Sequence, residues 1–131
     1  MIRYALPVLV LALTGTASAD QRRPNPAAIA LEKSLRGLTP GAPTRCLVRE
    51  RFSEVHGVPD AVLYVGGRTR KYLNHVVGQC PGLARGDIVI VRSLRGDPCE
   101  GDQVQTSEAL NGRLSGSCAL GPFVPYSKSG G

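Results

Sequence analysis

Four cysteines spaced as Cys46-x33-Cys80-x18-Cys99-x18-Cys118 constrain this chain more than any other feature. Structural zinc calls for ligands in closely spaced pairs, and a thiol redox centre calls for Cys-x-x-Cys. Neither spacing occurs, and neither His56 nor His75 sits beside a cysteine in sequence. An even number of widely spaced cysteines in a short chain predicts a disulfide framework, with no metal and no cofactor. Four cysteines allow three pairings. The nested pairs Cys46–Cys118 and Cys80–Cys99 are expected. Cys80 and Cys99 flank one β-type run, while Cys46 and Cys118 open the first and last strands. Nesting also avoids crossed loops and lets the shorter, entropically cheaper loop close first.

The N-terminus reads as an export signal. Arg3 supplies a positive start, Ala5–Leu13 an apolar stretch, and Ala17-Ser18-Ala19 a small-residue cleavage site before Asp20. The apolar stretch is nine residues long, against about 20 for a membrane-spanning helix. The expectation is a periplasmic or secreted protein without a membrane span. The 112 residues after the cleavage site suffice for one small domain and exclude a multidomain enzyme.

The whole chain carries a formal net charge of +6. Between Cys46 and Tyr126, however, nine basic residues face eight acidic ones. The excess lies in Asp20–Arg45 and at Lys128. A nucleic-acid groove gathers charge on the folded face, so nucleic acid is not the expected partner.

Four segments follow: a signal peptide (1–19), a linker with a short helix (20–45), a disulfide-stapled β domain (46–126) and a flexible tail (127–131). Asn25-Pro26 is an N-cap followed by proline at the first helical position, and Ala28, Leu31, Leu35 and Leu38 share one helical face. A helix near Pro26–Arg36 is predicted, then a linker at Thr39–Pro43. Cys46-Leu-Val48 and Ala61–Val65 read as strands, and Gly66-Gly67 as the hairpin turn leading to Arg68–Leu73. Ile88–Val91 is a run of β-branched residues, expected to be buried on both faces. Gln103–Ser107 is polar and alternating, hence an expected edge strand, and Cys118–Val124 reads as the last strand. The fold class is mainly β: a small antiparallel sandwich or barrel stapled by two disulfides, with a short N-terminal helix.

The run Gly67-Arg68-Thr69, then Tyr72-Leu-Asn74, Cys80-Pro-Gly-Leu83, Asp87 and Arg92 resembles a family of small exported four-cysteine alphaproteobacterial proteins of unknown function. Cys99 with Gly101-Asp102, and Cys118-Ala-Leu-Gly-Pro-Phe-Val-Pro125, extend the resemblance over Cys46–Tyr126. It implies export, β-rich structure and disulfides. It implies no activity, cofactor or catalytic residue.

Candidate chemistry is sparse. Glu54, His56 and Asp60 lie close together, but His56–Asp60 reads first as a turn, and no serine sits in a Gly-x-Ser-x-Gly elbow. His75 reads as a strand-end residue. Arg85-Gly86-Asp87 and Arg95-Gly96-Asp97 spell an adhesion tripeptide, yet Gly-Asp pairs serve turns before strands. Arg68, Arg70 and Tyr72 alternate along one strand and form the candidate binding strip, suited to cation and stacking contacts with a protein, peptide or acidic envelope polymer. The same alternation also describes a solvated edge guarded by charge. The function expected is a non-catalytic binding or structural protein of the cell envelope, with a small periplasmic hydrolase-like enzyme as the alternative.

Overall fold

The computed structural model describes Gly15 and residues 25–128. The signal peptide inferred from residues 1–19 falls, apart from Gly15, outside the described residues. Among the described residues, no helix is long and apolar enough to cross a membrane.

The order of elements is α1 (Pro26–Leu35), β1 (Leu38–Pro40), a 3-10 turn (Arg49–Arg51), β2 (Glu54–Val58), β3 (Ala61–Gly67), β4 (Arg70–His75), α2 (Gly82–Arg85), β5 (Ile88–Arg92), β6 (Gln103–Ser107), β7 (Leu114–Ala119) and β8 (Phe123–Lys128). The strands form a five-stranded antiparallel sheet, β1-β8-β4-β3-β2, and a three-stranded one, β5-β6-β7. The sheets do not close into a barrel.

α1 begins as its sequence dictates. Asn25 caps it by accepting from the Ala27 N–H at 2.9 Å, and Pro26 occupies the first turn, where a missing N–H costs nothing. At the other end Lys71 Nζ donates to the Ser34 carbonyl and hydroxyl, both at 2.6 Å. A cation at the negative end of the helix is the favourable sign.

The main core lies between the sheets. Val62, Tyr64 and Phe123 from the large sheet meet Leu83 of α2, Val104 of β6 and the Cys80 side chain. Tyr64 stacks edge-on between Phe52 and Phe123, with ring centroids 4.8 and 5.4 Å away. The opposite face of the large sheet presents Val58, Ala61, Leu63 and Leu73, covered by Leu31 and Leu35 of α1. One polar residue is built into the inner core. Asn74 is fully buried, accepts from the Gly121 N–H at 2.8 Å and donates to the Gly121 carbonyl at 2.7 Å. Residue 121 must be glycine, since a Cβ there would lie 2.3 Å from the His75 carbonyl oxygen.

Several expectations are corrected. The disulfides are Cys46–Cys99 and Cys80–Cys118, not Cys46–Cys118 and Cys80–Cys99. Strand pairing rather than loop length decides which sulfurs meet. Cys46 and Cys99 face each other across an antiparallel bridge, and Cys80 packs on the inner face of β7, where Gly116 leaves room for it. Cys46–Val48 is therefore a single bridge and not a strand. The hairpin turn is Arg68-Thr69, with Gly66-Gly67 inside β3 beside a register shift. The roles of two strands are exchanged. Ile88–Val91 has an exposed outer face, whereas Gln103–Ser107 is the central strand of its sheet. The expected linker contains β1, hydrogen-bonded to β8, and the expected tail gives Ser127 and Lys128 to β8. Cys118–Val124 is divided between β7 and β8 by a sharp loop at Leu120–Pro122.

Candidate functional site

The predicted strip Arg68, Arg70 and Tyr72 is only partly brought together. Arg68 projects from the β3–β4 turn and is exposed. Arg70 and Tyr72 lie two residues apart on β4, opposite Ser127 and Pro125 of β8. With Arg51, Pro125, Tyr126 and Ser127 they line a recess of about 330 Å³. Tyr72 is not a flat exposed plate as the strip reading required. It is 9 % exposed, with most of its ring committed to the inner core.

Arg51 arrives from the 3-10 turn before β2. That turn lies against β3 because Gly66 has no side chain: a Cβ there would sit 2.2 Å from the Arg51 carbonyl oxygen. The Ser53 N–H then donates to the Val65 carbonyl at 2.9 Å, fixing the approach. Arg51 and Arg70 are both exposed at the recess. Among the described residues, no carboxylate forms a salt bridge with either guanidinium. Two cations beside two tyrosines and a serine hydroxyl, open to solvent, can take up a carboxylate or phosphate through charge-assisted hydrogen bonds.

Sequence reasoning missed Arg51, Tyr126 and Ser127. Only the β4–β8 register brings residue 70 to residue 127, and no local pattern near Arg51 points toward β4.

The acid–base residues do not converge as a triad. His56 lies in β2, with Nε2 2.9 Å from Glu54 Oε2, both side chains being more than half exposed. Asp60 instead occupies the Pro59-Asp60 turn with φ 59°, a left-handed conformation that short polar residues tolerate. His75 ends β4 and is exposed. His56 and Glu54 line a groove of about 480 Å³ beneath α1, together with Ser34 and Lys71.

Both Arg-Gly-Asp runs have their aspartates occupied within the fold. The Asp87 side chain, 12 % exposed, accepts from the Ser115 hydroxyl at 2.5 Å and from Arg85 at 3.3 Å. The Ser115 bond, more than Arg85, holds its carboxyl below the ordinary aspartate range despite the opposing effect of burial. Asp97 accepts from the Arg49 backbone N–H at 3.0 Å. Inside the core, burial raises the Tyr64 phenol, and the Asp102 charge adds to the effect, so the hydroxyl stays protonated. No cluster of three or more metal-ligating side chains occurs among the described residues.

No family model, curated protein or solved structure matches this chain.

Proposed function

We propose that this is an exported, non-catalytic binding domain of the cell envelope that holds an acidic group of a peptide or polymer at Arg51, Arg70 and Tyr72. The observation that carries the reading is one open recess lined by both Arg51 and Arg70, neither of which has a salt-bridge partner among the described residues. Two disulfides in so small a chain fit an oxidising compartment, as does the export signal in its sequence.

Calorimetric titration of the oxidised protein with poly-L-glutamate, and with uncharged poly-L-glutamine, tests the proposal. Saturable binding of the acidic polymer alone is expected, weakening with salt as surface charge interactions do. The double variant Arg51→Ala/Arg70→Ala should lose at least tenfold in affinity. Arg92→Ala, on the exposed face of β5, should lose nothing. Equal losses in both variants would refute a localised site.

The hydrolase-like alternative has one observation in its favour, the Ser34–Lys71 contact in the groove that also holds His56 and Glu54. Lys71 donates to the Ser34 carbonyl as well as its hydroxyl, which is the work of a helix-capping ammonium rather than a base. Covalent labelling of Ser34 by a fluorophosphonate probe would favour the enzyme.

A further inference from the structure

The two disulfides occupy opposite environments. Cys80 is 6 % exposed within the main core, and Cys118 packs against that core with Gly78 against its Cβ. Cys46 is exposed, Cys99 is half-buried, and their bridge lines an open recess of about 380 Å³. That volume is in the range of small-molecule pockets. Arg45, Ser93, Leu94, Arg95, Glu100 and Asp102 complete its walls, so two cations and two carboxylates surround the bridge.

We propose that Cys46–Cys99 is a site of reversible thiol–disulfide exchange with a low-molecular-weight thiol, and that Cys80–Cys118 is closed to the same reagent. This inference is independent of anion binding at Arg51 and Arg70. In the first step a thiolate attacks Sγ of Cys46, the more exposed residue of the pair. The bond to Cys99 Sγ breaks, and its electron pair leaves on Cys99, which takes up the proton that the incoming thiol lost. The product is a mixed disulfide on Cys46 and a free thiol at Cys99. A second thiolate attacks the reagent's sulfur in the mixed disulfide; the bond to Cys46 Sγ breaks, Cys46 leaves with the electron pair and takes up the proton that this thiol lost, and the reagent is released as its disulfide. The protein is left with two reduced cysteines.

The fold keeps the pair together after the bridge opens. The Leu47 N–H donates to the Pro98 carbonyl at 2.9 Å, and the Glu100 N–H to the Arg45 carbonyl at 2.7 Å. These two bonds flank the cysteine pair, whose Cα atoms are 4.0 Å apart. The Cys99 N–H is also held by Asp102 at 2.8 Å. Both sulfurs therefore stay opposite each other and can rejoin when the thiol is withdrawn.

The test is graded reduction of the folded full chain with glutathione, trapped by rapid alkylation and mapped by mass spectrometry. Cys46 and Cys99 should become labelled at least tenfold faster than Cys80 and Cys118. At limiting thiol the glutathione adduct should be found on Cys46, and dilution into glutathione disulfide should restore the original Cys46–Cys99 peptide. Equal labelling of all four cysteines, labelling of Cys80 and Cys118 first, an adduct mainly on Cys99, or failure to reduce Cys46–Cys99 without unfolding would each overturn the proposal.

Discussion

The two faces of the five-stranded sheet are built on different principles. The inner face is a closed interior, in which Val62, Tyr64 and Phe123 are at most 1 % exposed and Asn74 is sewn to Gly121 by two hydrogen bonds. The Cys80–Cys118 bridge runs through it. The outer face is a smaller cluster beneath a ten-residue helix that has no buried residue of its own. Helices of that length are marginal alone and persist by docking. The same strands thus carry a larger, disulfide-stapled core on one side and, on the other, a smaller buried cluster covered by one short helix. The groove under α1, the Arg51–Arg70 recess and the recess at Cys46–Cys99 all open to solvent.

Substitutions sharpen this contrast in a definite order. Phe123→Ala, which empties the centre of the inner core, should cost about 3–5 kcal/mol by chemical denaturation. Asn74→Leu follows, at about 2–3 kcal/mol, because the Gly121 N–H and carbonyl are then buried without partners. Leu31→Ala on α1 should cost only about 1 kcal/mol, since its side chain is half-buried and the helix can settle onto the gap. A loss as large as that of Phe123→Ala would mean that the outer face is core after all.

The smallest effect is one of pH. The folded Asp87 carboxyl titrates below its unfolded value, so its contribution to stability is complete above the ordinary aspartate range and disappears as pH falls through the folded pKa. Melting temperature against pH should therefore decline less steeply on the acid side in Asp87→Asn than in the wild type.

What could be read in advance follows the range of the interactions. The start of α1 was legible because capping is chemistry between residues two apart in the chain, Asn25 and Ala27. The β-rich class and the presence of two disulfides followed from turn residues and cysteine number. The pairing did not, because which sulfurs meet depends on how β7 is placed against Cys80 and how Arg45–Leu47 meets Pro98–Glu100. Ile88–Val91 misled by composition: its β-branched run sits on an edge strand, while Thr106 and Ser107 are buried in the centre of the same sheet. Burial there is set by strand order, which polarity alone does not encode. For the candidate site, Arg70 and Tyr72 could be found by alternation within one strand. Arg51 could not, since it reaches the recess through a close approach that Gly66 permits.

In chain-entropy terms each disulfide restrains the unfolded chain by about 4 kcal/mol, so both faces must be compared with the bridges intact. Native-state hydrogen exchange of the oxidised protein does this residue by residue. Amides of β3, β4 and β6 should exchange only with the free energy of global unfolding, and those of α1 through local opening several kcal/mol lower. If the α1 amides are as protected as those of β3, the division between a stapled interior and a lightly held outer layer is wrong.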